Sequence, residues 1–327
     1  MRWTVATDDS GSRSRTIRAA RLLIAALLLP TSGALAAGGG PPAKQLFGKV
    51  AGPVPIEARS IGFYSRGCLA GAEPLPVDGA EWQAMRLSRN RHWGMPALVA
   101  YVEKLARDAR VKEGWSGLLV GDMSQPRGGP MPTGHASHQI GLDVDIWLDP
   151  MPGRMLSATE REAIGATSYV RAGTNVELDK SRWTAAHSRL LRLASSYPEV
   201  ERIFVNPGIK KELCGWAGSD RAWLRKIRPW YNHDDHFHVR LRCPAGLAGC
   251  QAQEPTPAGD GCDDNLAWWL SPERYRPPKG PIVPAPELTL SDLPAACAGI
   301  LAAAPDGVTP ADFAVRPPLP RPRPEMN

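Results

Sequence analysis

The chain has 327 residues, of which 43% are hydrophobic and 22% charged. These proportions are those of a globular protein, and they exclude a fully disordered chain, a collagen-like repeat and a membrane protein with many spans. The 33 proline and 32 glycine residues indicate a loop-rich fold. The formal net charge of +6 would favour a nucleic-acid-binding protein only if the basic residues were clustered on one surface.

The first 36 residues are organised like a secretory signal peptide. Four arginines between positions 13 and 21 precede eight apolar residues at 22–29, and an Ala-Leu-Ala cleavage site ends at Ala36. The apolar run is shorter than the roughly 18 residues that a membrane span needs. We therefore predict an exported mature protein without a membrane anchor. About half of the net charge leaves with this segment, and the only dense basic stretch that remains lies near the C-terminus, so no nucleic-acid partner is predicted.

The cysteine content agrees with export. The six cysteines form an even set, and disulfides are favoured over free thiols in an exported chain. Spacing alone leaves many pairings open and suggests a local pair only for Cys243 and Cys250, which a short loop with proline and glycine joins. Because no C-x-x-C pair is present, a thiolate zinc site is not favoured.

Hydrophobic periodicity predicts a mixture of helices and strands along the mature chain. In chain order these are a helix over 81–110, a strand at 118–120, a loop rich in glycine and proline over 121–134, a strand at 141–148, a helix over 181–196, a strand at 202–205, a short helix at 223–227 and a strand at 237–241. From about Pro277 the composition becomes proline-rich. We predict one α+β domain over 37–300 and a disordered or polyproline tail over 301–327.

Two of the predicted strands place polar side chains on one face. In the strand at 141–148, aliphatic residues alternate with Asp143 and Asp145, which predicts a half-buried strand with both carboxylates on the face opposite the aliphatic residues. In the strand at 237–241, the same alternation places His236, His238 and Arg240 together on one face.

Five of the seven histidines lie in two short windows: His135, His138, His233, His236 and His238. A lone histidine is more often a hydrogen-bonded structural residue. Neighbouring strands that offer imidazole and carboxylate groups to one face, however, can build a three-ligand site with an open position, which suits catalytic zinc. We therefore predict a zinc site on one face of a small antiparallel core sheet, flanked by helices and disulfide-tied loops. No H-E-x-x-H, G-x-S-x-G or Walker A motif is present to indicate another chemistry.

At these windows the sequence resembles the penicillin-insensitive murein endopeptidases, which are zinc peptidases related to lysostaphin, D-Ala-D-Ala carboxypeptidases and the hedgehog fold. The resembling segments are SQPRGGPM at 124–131, GHASHQIGLDVDIW at 134–147 and HDDHFHVR at 233–240. The similarity runs from about residue 45 to 276. It implies that His138 and Asp145 of an H-x6-D motif and His238 of an H-x-H motif bind Zn²⁺, with His236 as the catalytic histidine.

The resemblance also implies the substrate, the compartment and the disulfides. Its members cleave the D-alanyl to meso-diaminopimelate cross-link of peptidoglycan in the periplasm. It implies the disulfide pairs Cys68–Cys297, Cys214–Cys262 and Cys243–Cys250. Relatives can hold an auxiliary second metal through the residue that matches His135, but residues 165–185 contain no histidine to complete such a site, so one zinc is expected.

Five further residues near the motifs are predicted to support the site. Asp143, Asp234 and Asp235 are candidates to hydrogen-bond the imidazoles and fix their tautomers. His135 and His233 either hydrogen-bond the transition state or support the metal-binding side chains.

Arg127 and Arg240 allow two interpretations. Each can hold a substrate carboxylate through paired hydrogen bonds or form a structural ion pair. Two other functions stay open at this stage, a zinc D,D-carboxypeptidase that trims terminal D-Ala and a non-catalytic peptidoglycan-binding protein that retains the metal. The first shares the chemistry of the endopeptidase, whereas the second would not use His236.

Overall fold

The structure is a computed structural model that describes residues 40–281 and 284–304. The predicted signal segment 1–36 and most of the predicted tail 301–327 lie outside the described residues. The strands of the described residues are β1 (Arg59–Phe63), β2 (Arg66–Ala70), β3 (Glu73–Pro74), β4 (Trp82–Ala84), β5 (Trp93–Gly94), β6 (Leu118–Val120), β7 (Asp143–Pro150), β8 (Val200–Val205), β9 (Ile227–Pro229) and β10 (His236–Leu241). The α-helices are α1 (Ala43–Phe47), α2 (Pro96–Glu113), α3 (Ala158–Ala163), α4 (Ala185–Ser196), α5 (Pro207–Trp216), α6 (Asp264–Leu270) and α7 (Ala296–Ala302). Short 3-10 helices lie at Leu87–Arg89, Ala222–Lys226, Pro272–Tyr275 and Leu290–Asp292.

The main sheet has the strand order β4-β6-β7-β10-β8-β9. Its central strands β6, β7, β10 and β8 pair antiparallel, whereas the edge strands β4 and β9 pair parallel to β6 and β8. The α+β fold with an antiparallel core sheet is therefore confirmed, with parallel pairs added at both edges. The β7–β10 register places His238 opposite Asp145 and Arg240 opposite Asp143, so the two strands predicted to carry polar side chains are direct neighbours.

Strand β7 is buried on both faces, and the prediction of a half-buried strand was wrong in this respect. Residues 143–148 are all buried, including both aspartates. The face that carries Asp143 is covered by the loop before β7, since the backbone N–H of His138 in that loop donates to Asp143 Oδ2 at 3.0 Å. Alternation identified the two faces of the strand correctly, but a polar face can also be buried when a loop folds over it and supplies hydrogen bonds.

The helix predicted over 81–110 is shorter at its N-terminal end. Helix α2 begins at Pro96, which occupies the first turn, and ends at Glu113 before Gly114, whose φ of 66° closes the helix. Residues 81–95 instead contain β4, a 3-10 turn and β5, so this part of the prediction was wrong. Arg86 and Asn90 have φ values of 55° and 51°, which a continuous right-handed helix does not accommodate.

The other predicted elements agree with the structure to within a few residues. Helix α4 begins at Ala185, after Thr184, whose backbone N–H donates to the Nδ1 atom of His187 at 3.1 Å. The start of the helix is therefore four residues later than predicted. The helix predicted at 223–227 is a 3-10 helix. In the described part of the chain, no helix combines the length and the apolar character that a transmembrane span requires.

The described chain contains three disulfides, of which two join distant segments and one closes a short loop. Their pairs are those that the family resemblance implies, Cys68–Cys297, Cys214–Cys262 and Cys243–Cys250. The first joins β2 to α7 across 229 residues of sequence. Around it lies a second, smaller hydrophobic core, separate from the main core, whose buried members come from both ends of the described chain: Ala43, Phe47, Val54, Cys68, Ala70, Leu293, Cys297 and Ile300.

Arg127 belongs to this C-terminal region and not to a substrate site. Its side chain is buried, and its Nη1 donates to the carbonyl oxygens of Ile300, Leu301 and Ala303 at 2.7–2.9 Å. It therefore satisfies carbonyl groups at the C-terminal end of α7, so the substrate-carboxylate interpretation was wrong and the ion-pair interpretation is replaced by helix capping. Helix α7 extends to Ala302, two residues past the predicted domain boundary at 300.

Candidate metal centre

The loop before β7 and the β7–β10 pair bring three predicted ligands together. Asp145 lies on β7, His238 lies opposite it on β10, and His138 comes from the loop. His138 has a φ of 67°, a left-handed conformation that is unfavourable for a residue with a Cβ atom. Asp143 fixes this conformation by accepting from the His138 N–H, and Ser124 Oγ donates to the His138 carbonyl at 2.6 Å. The loop is thereby held so that the His138 ring faces β7.

The side-chain atoms of the three predicted ligands converge on one carboxylate oxygen. Asp145 Oδ1 lies 3.4 Å from His138 Nε2 and 3.4 Å from His238 Nδ1, and His236 Nε2 lies 3.7 Å from it. Among the described residues, Asp145 Oδ1 and His138 Nε2 are both buried and have no hydrogen-bond partner. Buried polar atoms without partners are rare, and their presence here indicates that these atoms serve another ligand.

The distances and donor types fit a metal ion such as zinc. Bonds of about 2.0–2.1 Å in a tetrahedral site place neighbouring ligand atoms about 3.3 Å apart, close to the two 3.4 Å separations around Asp145 Oδ1. The other nitrogen of each ring is already used, because His138 Nδ1 donates to the Met123 carbonyl at 2.7 Å and His238 Nε2 to Asp143 Oδ1 at 2.9 Å. These bonds leave a lone pair on His138 Nε2 and on His238 Nδ1.

A second candidate group of ligands shares two of these residues. His135, His138 and Asp145 each place a ligand atom within 4.8 Å of the others, so this group could hold a metal ion. His135 Nε2 faces the other carboxylate oxygen, Asp145 Oδ2, at 3.4 Å, and it also lies 3.0 Å from Asp122 Oδ2. Asp145 therefore presents one oxygen to His138 and His238 and the other to His135.

Asp122 is a site residue that the sequence analysis missed. Its buried Oδ2 contacts Arg89 Nη1 at 2.9 Å, Arg91 Nη1 at 2.8 Å and His135 Nε2 at 3.0 Å. Burial acts to raise the pKa of Asp122, but the His135 hydrogen bond and the Arg91 charge outweigh it and lower the pKa to about 2. The signal that could have identified Asp122 is its position two residues after the end of the predicted strand at 118–120, which adjoins β7.

His236 and His233 flank the convergent atoms. His236 Nδ1 lies 2.6 Å from Asp235 Oδ1, and although burial acts to lower its pKa, the carboxylates of Asp145 and Asp235 raise it to about 9. The ring of His233 lies 4.9 Å from that of His236. Burial, reinforced by the nearby His236, lowers the pKa of His233 to about 3, so this ring is neutral at pH 7. His233 Nδ1 donates to the Tyr231 carbonyl at 2.6 Å, which leaves its Nε2 as an acceptor.

Neighbouring charges and burial together shift the pKa values of the other three groups of the site, Asp145, His138 and His238. The histidines, His138 first, overcome the effect of burial and hold the pKa of Asp145 well below its usual range. The same carboxylate outweighs burial at His138 and raises the pKa of that ring. Burial, followed by the neighbouring His138, lowers the pKa of His238 to about 3.

Arg240 forms a structural ion pair, as one of its two interpretations predicted. Its Nε donates to Asp143 Oδ1 at 2.7 Å, its Nη1 donates to Gln253 at 2.8 Å, and the side chain is buried. Asp234, which was predicted to orient an imidazole, instead accepts a hydrogen bond from the hydroxyl of Ser168. Asp143 and Asp235 do contact imidazoles, at His238 and His236.

Comparison with known proteins identifies relatives over most of the chain. The family described as penicillin-insensitive murein endopeptidase matches residues 60–302, so the similarity extends past residue 276. The penicillin-insensitive murein endopeptidase of Haemophilus influenzae is 46% identical over 244 residues, which cover 74% of this chain and 83% of the relative. That of Klebsiella pneumoniae strain 342 is 42% identical over 268 residues, covering 82% and 95%, and that of Pectobacterium atrosepticum is 43% identical over 261 residues, covering 79% and 89%. The chain therefore belongs to the penicillin-insensitive murein endopeptidase family.

Proposed function

We propose that this chain is a periplasmic zinc endopeptidase that hydrolyses the D-alanyl to meso-diaminopimelate cross-links of peptidoglycan. The observation that carries the proposal is the convergence of two imidazole nitrogens on a buried carboxylate oxygen that has no hydrogen-bond partner among the described residues. The family's relatives are named as murein endopeptidases, which supports peptidoglycan as the substrate. The signal-like segment 1–36 and the three disulfides support export to an oxidising compartment.

In this proposal His138 Nε2, Asp145 Oδ1 and His238 Nδ1 hold one zinc ion. His238 is preferred to His135 as the third ligand because His238 Nδ1 faces the same oxygen, Asp145 Oδ1, as His138 Nε2 does. His135 Nε2 instead faces Asp145 Oδ2 and already contacts Asp122. When bound, zinc supplies Lewis acidity toward a water molecule and toward the scissile carbonyl. Asp143 maintains the His238 tautomer by accepting from Nε2.

His236 is the proposed proton carrier. Asp235 holds its ring through Nδ1, which leaves Nε2 directed toward the convergent atoms at 3.7 Å from Asp145 Oδ1. A proton at Nε2 can therefore be exchanged with an attacking water or a leaving amine. His233 is neutral, and its Nε2 can accept a hydrogen bond from a substrate amide or from water. None of these steps uses an activated serine, so a β-lactam finds no nucleophile to acylate.

The proposal is tested by digesting purified peptidoglycan sacculi and identifying the products by mass spectrometry. We expect cross-linked dimers to become monomers, with loss of activity in a chelator and recovery on adding Zn²⁺. Release of free D-Ala without loss of dimers would instead identify a D,D-carboxypeptidase. Binding to sacculi with no product at all would identify a non-catalytic binding protein.

Variants separate metal binding from catalysis. His138→Ala and Asp145→Ala are expected to lose both bound zinc, measured by elemental analysis, and activity. His236→Ala is expected to retain zinc and lose turnover. The control is His187→Gln, which removes a histidine of helix α4 whose ring stacks on that of Trp183, and this variant should keep the metal. Full zinc occupancy in Asp145→Ala would show that the ligand set is wrong.

A further inference from the structure

An exposed aromatic surface lies beside the candidate metal centre. We call it the aromatic patch, and its members are Trp230, Tyr231, Trp268, Trp269 and Tyr275, together with Arg274. Trp230 is 48% exposed and Trp268 is 49% exposed, whereas Trp269 is buried beneath them with ring-centre distances of 5.7 Å and 5.4 Å to the two. Two large apolar rings, those of Trp230 and Trp268, are therefore exposed to solvent and both pack on Trp269. A contiguous exposed apolar surface of this kind is typical of a binding site.

The patch is continuous with the candidate metal centre. Phe204 of β8 lies between the two, with its ring 5.3 Å from that of His238 and 5.7 Å from that of Trp230, and both contacts are edge-to-face. From His238, the rings of Phe204, Trp230, Trp269 and Trp268 follow one another without a gap. A ligand that reaches the convergent histidines therefore has the aromatic patch within reach on the same side of β8 and β10.

Arg274 holds the patch in a fixed arrangement. The central carbon of its guanidinium lies 4.0 Å from the ring centre of Tyr231, 4.3 Å from that of Trp268 and 4.6 Å from that of Trp269. Contacts of a cation with aromatic faces are attractive, so Trp268 is supported by the guanidinium while half of its surface stays exposed. A ring that is already immobilised loses little conformational entropy when a ligand binds.

The chemistry of the patch favours a neutral ligand with a flat C–H surface. The face of an indole ring carries negative charge density and attracts the weakly positive C–H groups on one side of a pyranose ring. The exposed carboxylates of Asp263 and Asp264 lie at the start of α6, close in sequence to Trp268, and they disfavour an anionic lipid surface. The cationic Arg274 is stacked against the rings and so does not offer the extended basic surface that anionic lipids require.

We propose that the aromatic patch binds sugar rings of the glycan strand of peptidoglycan while the peptide cross-link occupies the metal centre. This inference rests on the proposed function, because it identifies a second contact with the same substrate. Trp268 is the central residue of the subsite, and Arg274 is a positioning residue that acts through it. The patch does not take part in the chemistry of peptide hydrolysis.

The test compares two substrates of the full-length enzyme. The first is purified sacculi, and the second is a cross-linked peptide dimer that carries no sugar. Trp268→Ala is expected to lower kcat/KM on sacculi about threefold to tenfold, the loss expected for one stacked ring, and to leave kcat/KM on the sugar-free dimer unchanged. Trp268→Phe keeps an aromatic face and should recover part of the loss. Arg274→Ala should weaken activity on sacculi in the same direction, since it removes the support of the Trp268 ring.

The outcomes distinguish this inference from the proposed function. If the wild-type enzyme cleaves neither substrate, the proposed function fails. If it cleaves both and Trp268→Ala lowers both rates equally, or neither, the glycan subsite is refuted. Val111→Ala is the matched control, because it removes another exposed apolar side chain, 78% exposed, at the end of α2, and it should change neither rate. If Trp268→Ala changes binding to anionic phospholipid vesicles but not activity on sacculi, the patch is a lipid-binding surface and the proposal is wrong.

Discussion

Removing either partner of the buried ion pair between Asp143 and Arg240 should destabilise the fold strongly, because the other charge is then left buried and unpaired. Asp143 is fully buried and accepts from the His138 N–H, from Arg240 and from His238. The Arg240 side chain is 7% exposed, and its guanidinium lies over the ring of Tyr64 at 4.1 Å. Neither charge can be rehydrated if the other is removed.

The expected magnitude follows from this burial. Removing one partner of a buried pair leaves an uncompensated charge, which costs about 3–5 kcal/mol. We therefore expect Asp143→Asn and Arg240→Met each to lower the free energy of unfolding by about that amount. The double variant carries no unpaired charge, so its cost should fall short of the sum of the single costs by at least about 2 kcal/mol.

The assay is urea unfolding followed by tryptophan fluorescence, with the disulfides oxidised and a chelator present so that metal binding does not contribute. Arg276→Met is the control, because it disrupts the exposed pair with Glu273, whose side chains are 70% and 58% exposed, and it should cost less than about 1 kcal/mol. Additive costs of Asp143→Asn and Arg240→Met in the double variant would refute the reasoning.

The pH dependence gives an independent check on the same pair. Burial acts to raise the pKa of Asp143, but the Arg240 charge outweighs it and holds the pKa far below the ordinary value of 3.8. A carboxyl group whose folded pKa is lowered stabilises the fold above its unfolded pKa and loses that contribution as the pH falls. The stability difference between wild type and Asp143→Asn should therefore be constant near neutral pH and decrease below about pH 4.

Three further predictions concern residues away from the metal centre. Burial, followed by the charge of Arg228, lowers the pKa of Lys210 from 10.5 to about 7. Between these pH values the unfolded chain binds one more proton than the folded chain, so the free energy of unfolding of wild type, measured by urea titration, should rise by about 1.4 kcal/mol per pH unit relative to that of Lys210→Met. A difference that stays constant between pH 7 and 10.5 would contradict the assignment. Replacing Cys68 and Cys297 by serine removes a disulfide that spans 229 residues of sequence and should lower the free energy of unfolding by up to about 5 kcal/mol. An unchanged urea midpoint would contradict this prediction. Arg127→Met removes the donor to the end of α7 and should cost about 1–3 kcal/mol, with faster amide exchange at 296–302 as its signature; unchanged exchange there would show that Arg127 does not hold the helix.

The sequence predicted the parts of the site that depend on strand alternation. Alternation along 141–148 and 237–241 placed Asp145 and His238 on polar faces, and the β7–β10 pairing brought these faces together. It did not predict Asp122, because the contacts of Asp122 with Arg89 and Arg91 come from a segment that has no regular periodicity. Loop residues are positioned by tertiary hydrogen bonds, which a pattern of hydrophobic residues does not encode.

The failed helix prediction over 81–95 has a related cause. Residues 82–84 form a strand because they pair with β6, which lies more than thirty residues further along the chain. The spacing of apolar residues in this segment is compatible with a helix, and the parallel partner decides between the two. By contrast, helix α2 is correctly predicted from residue 96 onward, since its buried residues, such as Leu98 and Leu105, follow a helical repeat.

The small core around Cys68 and Cys297 also constrains the order in which the molecule can fold. Ala43 and Phe47 in α1 have their packing partners Leu293 and Ile300 near the opposite end of the described chain, and the Ala43 N–H donates to the carbonyl of Leu288 at 2.7 Å. Helix α1 is thus synthesised early, but its partners Leu293 and Ile300 are synthesised late. During synthesis, this part of the chain cannot reach its native packing until residues near 300 have emerged, so a C-terminally truncated chain would leave an apolar surface uncovered.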